Sequence, residues 1–219
     1  MSEKIITRRH ALLAAAAGLA VTPFAAGQAL ADPSAAAPRL YIDPGHGGSD
    51  SGAVGNGLRE KDITLDIALQ VRDILQANHT VDIRMSRTTD ITRSLSYRSS
   101  DANSWGANFF VSIHINSAGG TAGTGFESYR YTNASSGTIS KQNILHPRIL
   151  SGMRTVASVA DRGKKSANFH VLRETSMSAI LTENLFINNP ADANLLKRAD
   201  FRTAAARGHA QGIVEILGL

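Results

Sequence analysis

The chain contains no cysteine among its 219 residues. Disulfide bonds are therefore excluded, and so is a lipid anchor attached through cysteine. Without disulfides the fold depends on a packed apolar core, to which a bound metal ion can add stability. The roughly 180 residues that follow residue 38 are enough for one domain with a substantial core.

A long apolar run is missing as well. Near the N-terminus, Arg8 and Arg9 precede an alanine-rich stretch that ends near Val21, and Ala29-Leu30-Ala31 offers the small-x-small pattern of signal peptidase sites. This stretch is shorter than the roughly 20 strongly apolar residues that a membrane span needs, which disfavours an uncleaved anchor. We therefore predict a cleaved signal peptide over residues 1–31, with the paired arginines favouring the twin-arginine route. The mature protein is then extracytoplasmic, without stable membrane insertion.

The sequence also lacks a strong charge of one sign. It carries 23 basic and 18 acidic residues, a net charge of +5, and removing the predicted signal peptide leaves 20 and 17, a net charge of +3. Such a mild and scattered excess argues against nucleic acid as a partner, although it suits an anionic polymer such as cell wall. Neither a Gly-x-Gly-x-x-Gly motif nor a P-loop is present, so the glycine-rich segment at 45–57 is a weak candidate for phosphate binding.

Apolar periodicity after a flexible lead-in at 32–38 predicts alternating strands and helices. We place strands at 39–43, 80–85, 109–115, 125–131 and 179–183, and helices at 62–76, 95–105, about 149–160, 191–197 and 202–217. The stretch 132–143 is rich in Ser, Thr and Asn, which favour turns over helix. We expect a single α/β domain over residues 39–219, with a mainly parallel or mixed twisted sheet and helices on both faces.

Two histidines lie at the predicted carboxyl ends of strands. His46 stands between glycines after the first strand, and His114 closes the apolar run that begins at Phe109. Because α/β proteins build sites at the carboxyl ends of strands, we expect these imidazoles to lie close together. The glycine-rich loop can bring Glu60, at the start of the first helix, beside His46. Two imidazoles and one carboxylate are a ligand set of catalytic zinc.

Glu183 is the candidate for proton transfer, because it ends an apolar strand without an obvious structural need. Simpler interpretations remain for each residue. The histidines can be hydrogen-bonded core residues, Glu60 can favour a helix N-terminus, and Glu183 can pair with Arg173. His79 and His209 are expected to be structural or solvated. Further candidates for substrate or supporting contacts are His170 and Asn116.

Five motifs occur in order along the chain: Asp43-Pro44-Gly45-His46-Gly47-Gly48, Gly57-Leu58-Arg59-Glu60-Lys61, Ser112-Ile113-His114-Ile115-Asn116, Val171-Leu172-Arg173 and Leu181-Thr182-Glu183-Asn184. Together they resemble the zinc-dependent N-acetylmuramoyl-L-alanine amidases of the type 3 amidase family, over about residues 40–217. Many relatives have a Leu-Gly-Phe-Ile type sequence after the glutamate, where this chain has Asn184-Leu185-Phe186-Ile187.

The resemblance implies that His46, Glu60 and His114 bind Zn²⁺ and that Glu183 is the catalytic glutamate. It also implies a peptidoglycan hydrolase that cleaves the amide between the lactyl group of N-acetylmuramic acid and L-alanine of the stem peptide. We expect a monomer. Two alternatives stay open: a zinc peptidase acting on the stem peptide, and a non-catalytic cell-wall-binding domain. The peptidase is disfavoured because 14 positions separate His46 from Glu60, whereas zinc carboxypeptidases commonly use a His-x-x-Glu motif.

Overall fold

The computed structural model describes Met1 and residues 36–120 and 123–219. The predicted signal peptide therefore lies outside the described residues, apart from Met1. The strands are β1 (Arg39–Pro44), β2 (Val54–Gly55), β3 (Leu58–Arg59), β4 (Asp82–Met85), β5 (Phe109–Asn116), β6 (Phe126–Tyr131), β7 (Asp161–Ala167) and β8 (Ser178–Phe186). The helices are α1 (Glu60–Asn78), α2 (Leu95–Trp105), α3 (Ser136–Arg154), α4 (His170–Arg173), α5 (Pro190–Lys197) and α6 (Ala199–Leu217). None of the helices in these ranges is long and apolar enough to cross a membrane.

Six strands form one mixed sheet in the order β4-β1-β5-β8-β6-β7. The strands β4, β1, β5 and β8 run parallel, whereas β6 is antiparallel to β8 and parallel to β7. The central strands are almost wholly buried because they are apolar on both faces, as expected for strands covered by helices on each side. The predicted α/β fold with a mixed sheet is confirmed.

The two faces of the sheet bury different sets of side chains. Alternate residues such as Phe109 and Val111 join the larger apolar cluster beneath α1, α3 and α6. Phe110 points the other way and joins a smaller cluster that includes side chains of α2 and α4. Since side chains alternate along a strand, His114 lies on the face of Phe110. His114 and its register partner Glu183 therefore lie on the face that carries fewer helices.

Residues 132–143 differ from the prediction of turns. Helix α3 begins at Ser136, and the side chain of Ser135 caps it by accepting a hydrogen bond from the Thr138 amide at 3.3 Å. The buried Gln142 donates to the Ser128 carbonyl of β6 at 3.0 Å. The prediction was wrong because the serine acts as an N-cap and the polar residues find partners on the sheet, which overrides their weak helix propensity.

Strand β7 was not predicted at all. Its sequence is Asp-Arg-Gly-Lys-Lys-Ser-Ala, without a strongly apolar residue. It lies at the edge of the sheet, where one side of the strand is unpaired and polar side chains keep it soluble. An apolar pattern is therefore no guide to such a strand. The short hairpin of β2 and β3 was missed because strands of two residues are too short to show an apolar alternation.

The departure from the family pattern at Leu185 coincides with a bulge in β8. The pairing of β5 with β8 shifts register between His114 and Asn116, and Leu185 has a φ of 72°. A non-glycine residue in this left-handed region costs roughly 1–2 kcal/mol. The Leu185 side chain is buried in the larger apolar cluster, which offsets that cost.

Candidate active site

His46 lies on the tight turn that leaves β1. Its own φ is 61°, and Gly47 follows with a φ of 130°. The turn directs Nε2 of His46 to within 3.1 Å of a Glu60 carboxylate oxygen. On the other side of the ring, Nδ1 lies 2.9 Å from Asp50 Oδ2. Asp50 thus favours the tautomer with a proton on Nδ1 and leaves Nε2 free as a ligand atom.

Glu60 is the first residue of α1 and is buried. Its Oε1 accepts a hydrogen bond from the Ile115 amide at 3.0 Å, and its Oε2 accepts one from the Ala53 amide at 2.9 Å. Burial by itself would raise the pKa of Glu60, but hydrogen bonds and charge from His114 and His46 lower it below the usual range. Glu60 is therefore held as a carboxylate.

His114 approaches from β5 and places Nδ1 3.0 Å from Glu60 Oε1. Its imidazole lies directly over Gly45, where any side chain would collide with the ring. A Cβ at Gly52 would likewise stand 2.6 Å from Glu60 Oε2. These two glycines let the loop close around the cluster. The three predicted ligands therefore come together, as the sequence pattern indicated.

The donor set of this cluster fits a zinc ion. Ligand atoms of His46, Glu60 and His114 all lie within 4.8 Å of one another. The rings of the two histidines meet edge to face, with centroids 4.9 Å apart. Two imidazole nitrogens and one ionised carboxylate match the three protein ligands of catalytic zinc sites, whose fourth position is left for water or substrate.

Glu183 stands next to this cluster on β8, as the register partner of His114. Burial, together with the negative charges of Glu60 and Glu127, raises the pKa of Glu183 well above its usual range. Its Oε2 is buried and has no hydrogen-bond partner within the described residues. Arg173 pairs with Glu174 and Asn168 instead, so the alternative pairing of Glu183 with Arg173 is wrong. An unpaired buried carboxyl oxygen is costly, and groups kept at such a cost cluster at functional sites.

A cavity of about 520 Å³ opens beside these residues. It is lined by His46, His114 and Glu183 together with Arg93, Leu95, Phe169 and His170. His170 thus faces the space where a substrate would lie, with Nε2 3.4 Å from Ser99 Oγ. Asn116 instead donates to Glu127 at 2.6 Å. The structure describes all of residues 132–143, and none of them lines this cavity.

His79 and His209 lie away from the cavity. His79 follows the last residue of α1, and His209 is fully buried on α6. Burial lowers the pKa of His209 to about 4, so its ring is neutral. Its nitrogens contact the Ala205 carbonyl at 2.8 Å and Thr182 Oγ1 at 3.0 Å. His209 is therefore structural.

A second histidine arrangement has to be distinguished from the site. Ser128, His146 and Asp161 form a hydrogen-bonded line with contacts of 2.8 and 2.9 Å, which has the composition of a hydrolase triad. Ser128 is completely buried, however, so its hydroxyl cannot reach a substrate. This line joins β6, α3 and β7 and is structural.

A buried ion pair between Asp43 and Arg98, which was not predicted, holds the His46 turn. Arg98 donates to Asp43 Oδ1 at 2.6 Å, to the Pro44 carbonyl at 2.7 Å and to the His46 carbonyl at 2.7 Å. Asp43 also accepts from Ser86 and Ser112. The indication in the sequence was Asp43 itself, because a charged residue that is buried in an apolar strand requires a partner.

We expect Arg98→Met to lower the free energy of unfolding by about 3–5 kcal/mol, because it leaves Asp43 buried without its cation. Burial alone raises the pKa of Asp43, but Arg98 and the serine hydroxyls outweigh it and lower the pKa. The stabilisation is therefore complete above about pH 4 and is lost as the pH falls through the lowered pKa.

Urea unfolding at pH 7 measures this loss. Arg84→Met is the matched control, since Arg84 forms a half-exposed pair with Asp101 and should contribute less than about 1 kcal/mol. Equal losses in the two variants would contradict the role given to Arg98.

Comparison with known proteins agrees with this geometry. A family model described as N-acetylmuramoyl-L-alanine amidase matches residues 40–215. The chain is 50% identical over 182 residues to a sporulation-specific N-acetylmuramoyl-L-alanine amidase of Bacillus subtilis, covering 83% of this chain and 69% of that protein. It is 47% identical over 182 residues to an endolysin of Bacillus phage SPP1, covering 82% of this chain and 66% of the endolysin. Among solved structures, the catalytic domain of the amidase CwlV from Bacillus (Paenibacillus) polymyxa superposes with a TM-score of 0.77 and 37% identity, covering 83% of this chain and 98% of that domain.

Proposed function

Because the chain belongs to the N-acetylmuramoyl-L-alanine amidase family, we propose that His46, Glu60 and His114 hold a catalytic zinc ion and that Glu183 transfers the proton. The reaction is hydrolysis of the amide between the lactyl group of N-acetylmuramic acid and L-alanine of peptidoglycan. The observation that carries the proposal is the unpaired carboxyl oxygen of Glu183 beside a cluster of three metal-binding donors.

Each residue has a distinct part in this mechanism. A bound zinc ion lowers the pKa of water and polarises the scissile carbonyl. The ion would be held by Nε2 of His46, the imidazole of His114 and the carboxylate of Glu60. Asp50 fixes the orientation and tautomer of His46.

Glu183 accepts the proton of the attacking water and delivers it to the departing alanine nitrogen. Burial raises the pKa of Glu183 and so favours its protonated form, which is the form that donates in the second step.

Product analysis of digested peptidoglycan tests the function. We expect the purified domain, supplied with zinc, to release peptides with a new L-alanine amino terminus and glycans with a free lactyl carboxylate. Cleavage within the stem peptide would indicate a zinc peptidase, and the absence of any product would indicate a binding domain.

The same digestion tests whether an activator is needed. We expect activity without a partner protein, since no part of 132–143 that the structure describes lines the cavity. Deleting this segment would remove the start of α3, so Ile139→Ser is the better probe, because it alters an exposed apolar side chain on the helix. Activity that appears only with a partner, or that rises sharply in this variant, would contradict an open site. Light scattering under the same conditions checks that the active species is a monomer.

We further propose that residues 1–31 direct export and are removed, with 32–38 as the lead-in to the catalytic domain at 39–219. The support is the sequence pattern of Arg8, Arg9 and Ala29-Leu30-Ala31. Replacing both arginines with lysine should leave a longer precursor in the cytoplasm, which immunoblotting of cell fractions detects. Unchanged export with processing near Ala31 would show that the general secretory route suffices.

A further inference from the structure

Two cations of the edge strand β7 converge on one buried carboxylate near Glu183. Arg162 donates from Nε to Glu127 Oε2 at 2.7 Å, and Lys165 forms an ion pair with the same oxygen. Glu127 is 2% exposed, whereas the side chains of Arg162 and Lys165 are 35% and 36% exposed. We call Arg162 and Lys165 the β7 cation pair. It faces solvent on one side and the sheet on the other.

A bulge brings both cations to the same face of the sheet. Residues three apart on a regular strand point to opposite faces. Between the pairs Phe126 with Asp161 and Ser128 with Lys164, however, β7 has one residue more than β6. Gly163 provides this extra residue with a φ of 85°, a backbone conformation that favours glycine. As a result Lys165 joins Arg162 at Glu127, while Lys164 turns away to Asn143 of α3.

The register of the sheet places the β7 cation pair beside the reacting groups. His114 is the partner of Glu183 on one side, and Glu127 is its antiparallel partner on the other. Cβ atoms of directly opposed residues in such a pair are about 4.5–5.5 Å apart. Across the sheet, the proposed metal ligand His114 is therefore followed by Glu183, then Glu127, and then the β7 cation pair.

Glu127 does not use all the positive charge and hydrogen-bond donors of the β7 cation pair. Two positive charges meet one carboxylate, which also accepts hydrogen bonds from Asn116 and Tyr129. The terminal nitrogens of Arg162 make no hydrogen bond within the described residues, while its guanidinium carbon lies 4.8 Å from the ring centre of Phe186. A guanidinium held by its Nε and by an aromatic ring presents its remaining donors in a fixed orientation, which suits a second carboxylate.

We propose that the β7 cation pair binds a free carboxylate of the stem peptide, namely the α-carboxylate of the isoglutamyl residue that follows L-alanine. This inference rests on the proposed function, because it takes Glu183 as the point where the amide is cleaved. In an extended stem peptide this carboxylate lies roughly two residues, about 7 Å, beyond the cleaved bond. Strand β7 lies two strand spacings, about 9.5 Å, from the strand of Glu183, and the long side chains of the pair can span the difference. Amidation of that carboxylate would remove the charge that the pair recognises.

Two muropeptides that differ only in this group test the proposal. One is a disaccharide tripeptide with isoglutamate after L-alanine, and the other carries isoglutamine. We expect kcat/KM to be about 10-fold higher for the isoglutamate muropeptide, mainly through a lower KM. The contact forms in the bound substrate as well as in the transition state, so it contributes mainly to binding. Arg162→Gln and Lys165→Gln should each reduce this preference to about 2-fold or less. Each variant leaves one cation on Glu127, and a thermal melt checks that the fold is kept.

Lys164→Gln is the matched control, because it removes the same charge from the same strand but on the other face. It should keep the full preference for the acid. An equal preference in the wild type, or a loss that is as large in Lys164→Gln or in a variant of the cavity residue Arg93, would overturn the proposal. If the wild-type protein cleaves neither muropeptide and also leaves whole peptidoglycan intact, the result contradicts the proposed function instead.

Discussion

Replacing Glu183 with glutamine is expected to reduce turnover by roughly 10²- to 10⁴-fold, the usual contribution of general acid–base catalysis. The amide keeps the size of the side chain but cannot accept and return a proton. Zinc content should remain at one ion per chain, because Glu183 is not among the three clustered donors. Steady-state hydrolysis of peptidoglycan and elemental analysis of the dialysed variant measure the two effects separately.

The matched control for this experiment is Glu174→Gln, which alters an exposed glutamate paired with Arg173. Its turnover should equal that of the wild type. If the Glu183 variant keeps near-normal turnover, another group carries the proton. If it loses zinc as well as activity, Glu183 contributes to the metal site and its separate role in proton transfer has to be abandoned.

Strong local patterns in the sequence predicted the residues that lie at the centre of the site. His46 follows β1 and His114 lies near the end of β5, and the parallel pairing of these strands brings both ends to one edge. The glycines around His46 indicated the tight turn. Glu60 was placed correctly because the first helix has a clear apolar stripe, so its first turn could be located.

The groups that support the site could not be predicted, because their partners are distant in sequence. Arg98 lies 55 residues from Asp43, and Glu127 lies 35 and 38 residues from Arg162 and Lys165. A charged residue shows that it needs a partner only once it is buried, and burial depends on the packed sheet. The edge strand β7 had no apolar pattern, so the cations on it had no predicted position.

Replacing His46 or His114 with alanine is expected to leave less than one zinc ion per chain after dialysis, with activity lost in proportion. Each change removes one of three protein ligands, and the two that remain cannot complete the same coordination. Chelation of the unmodified protein should abolish activity, and added zinc should restore it. Asp50→Asn keeps all three ligands but weakens the contact with His46 Nδ1, so we expect zinc affinity to fall by about 10- to 100-fold.

His79→Ala is the control, since this histidine follows the end of α1 and does not line the cavity. It should keep full zinc content and activity. Full zinc content in both the His46 and His114 variants would exclude these residues as ligands. A normal affinity in Asp50→Asn, with zinc lost from the histidine variants, would show instead that the turn at Gly47 and the contacts of Arg98 orient His46 without help from Asp50.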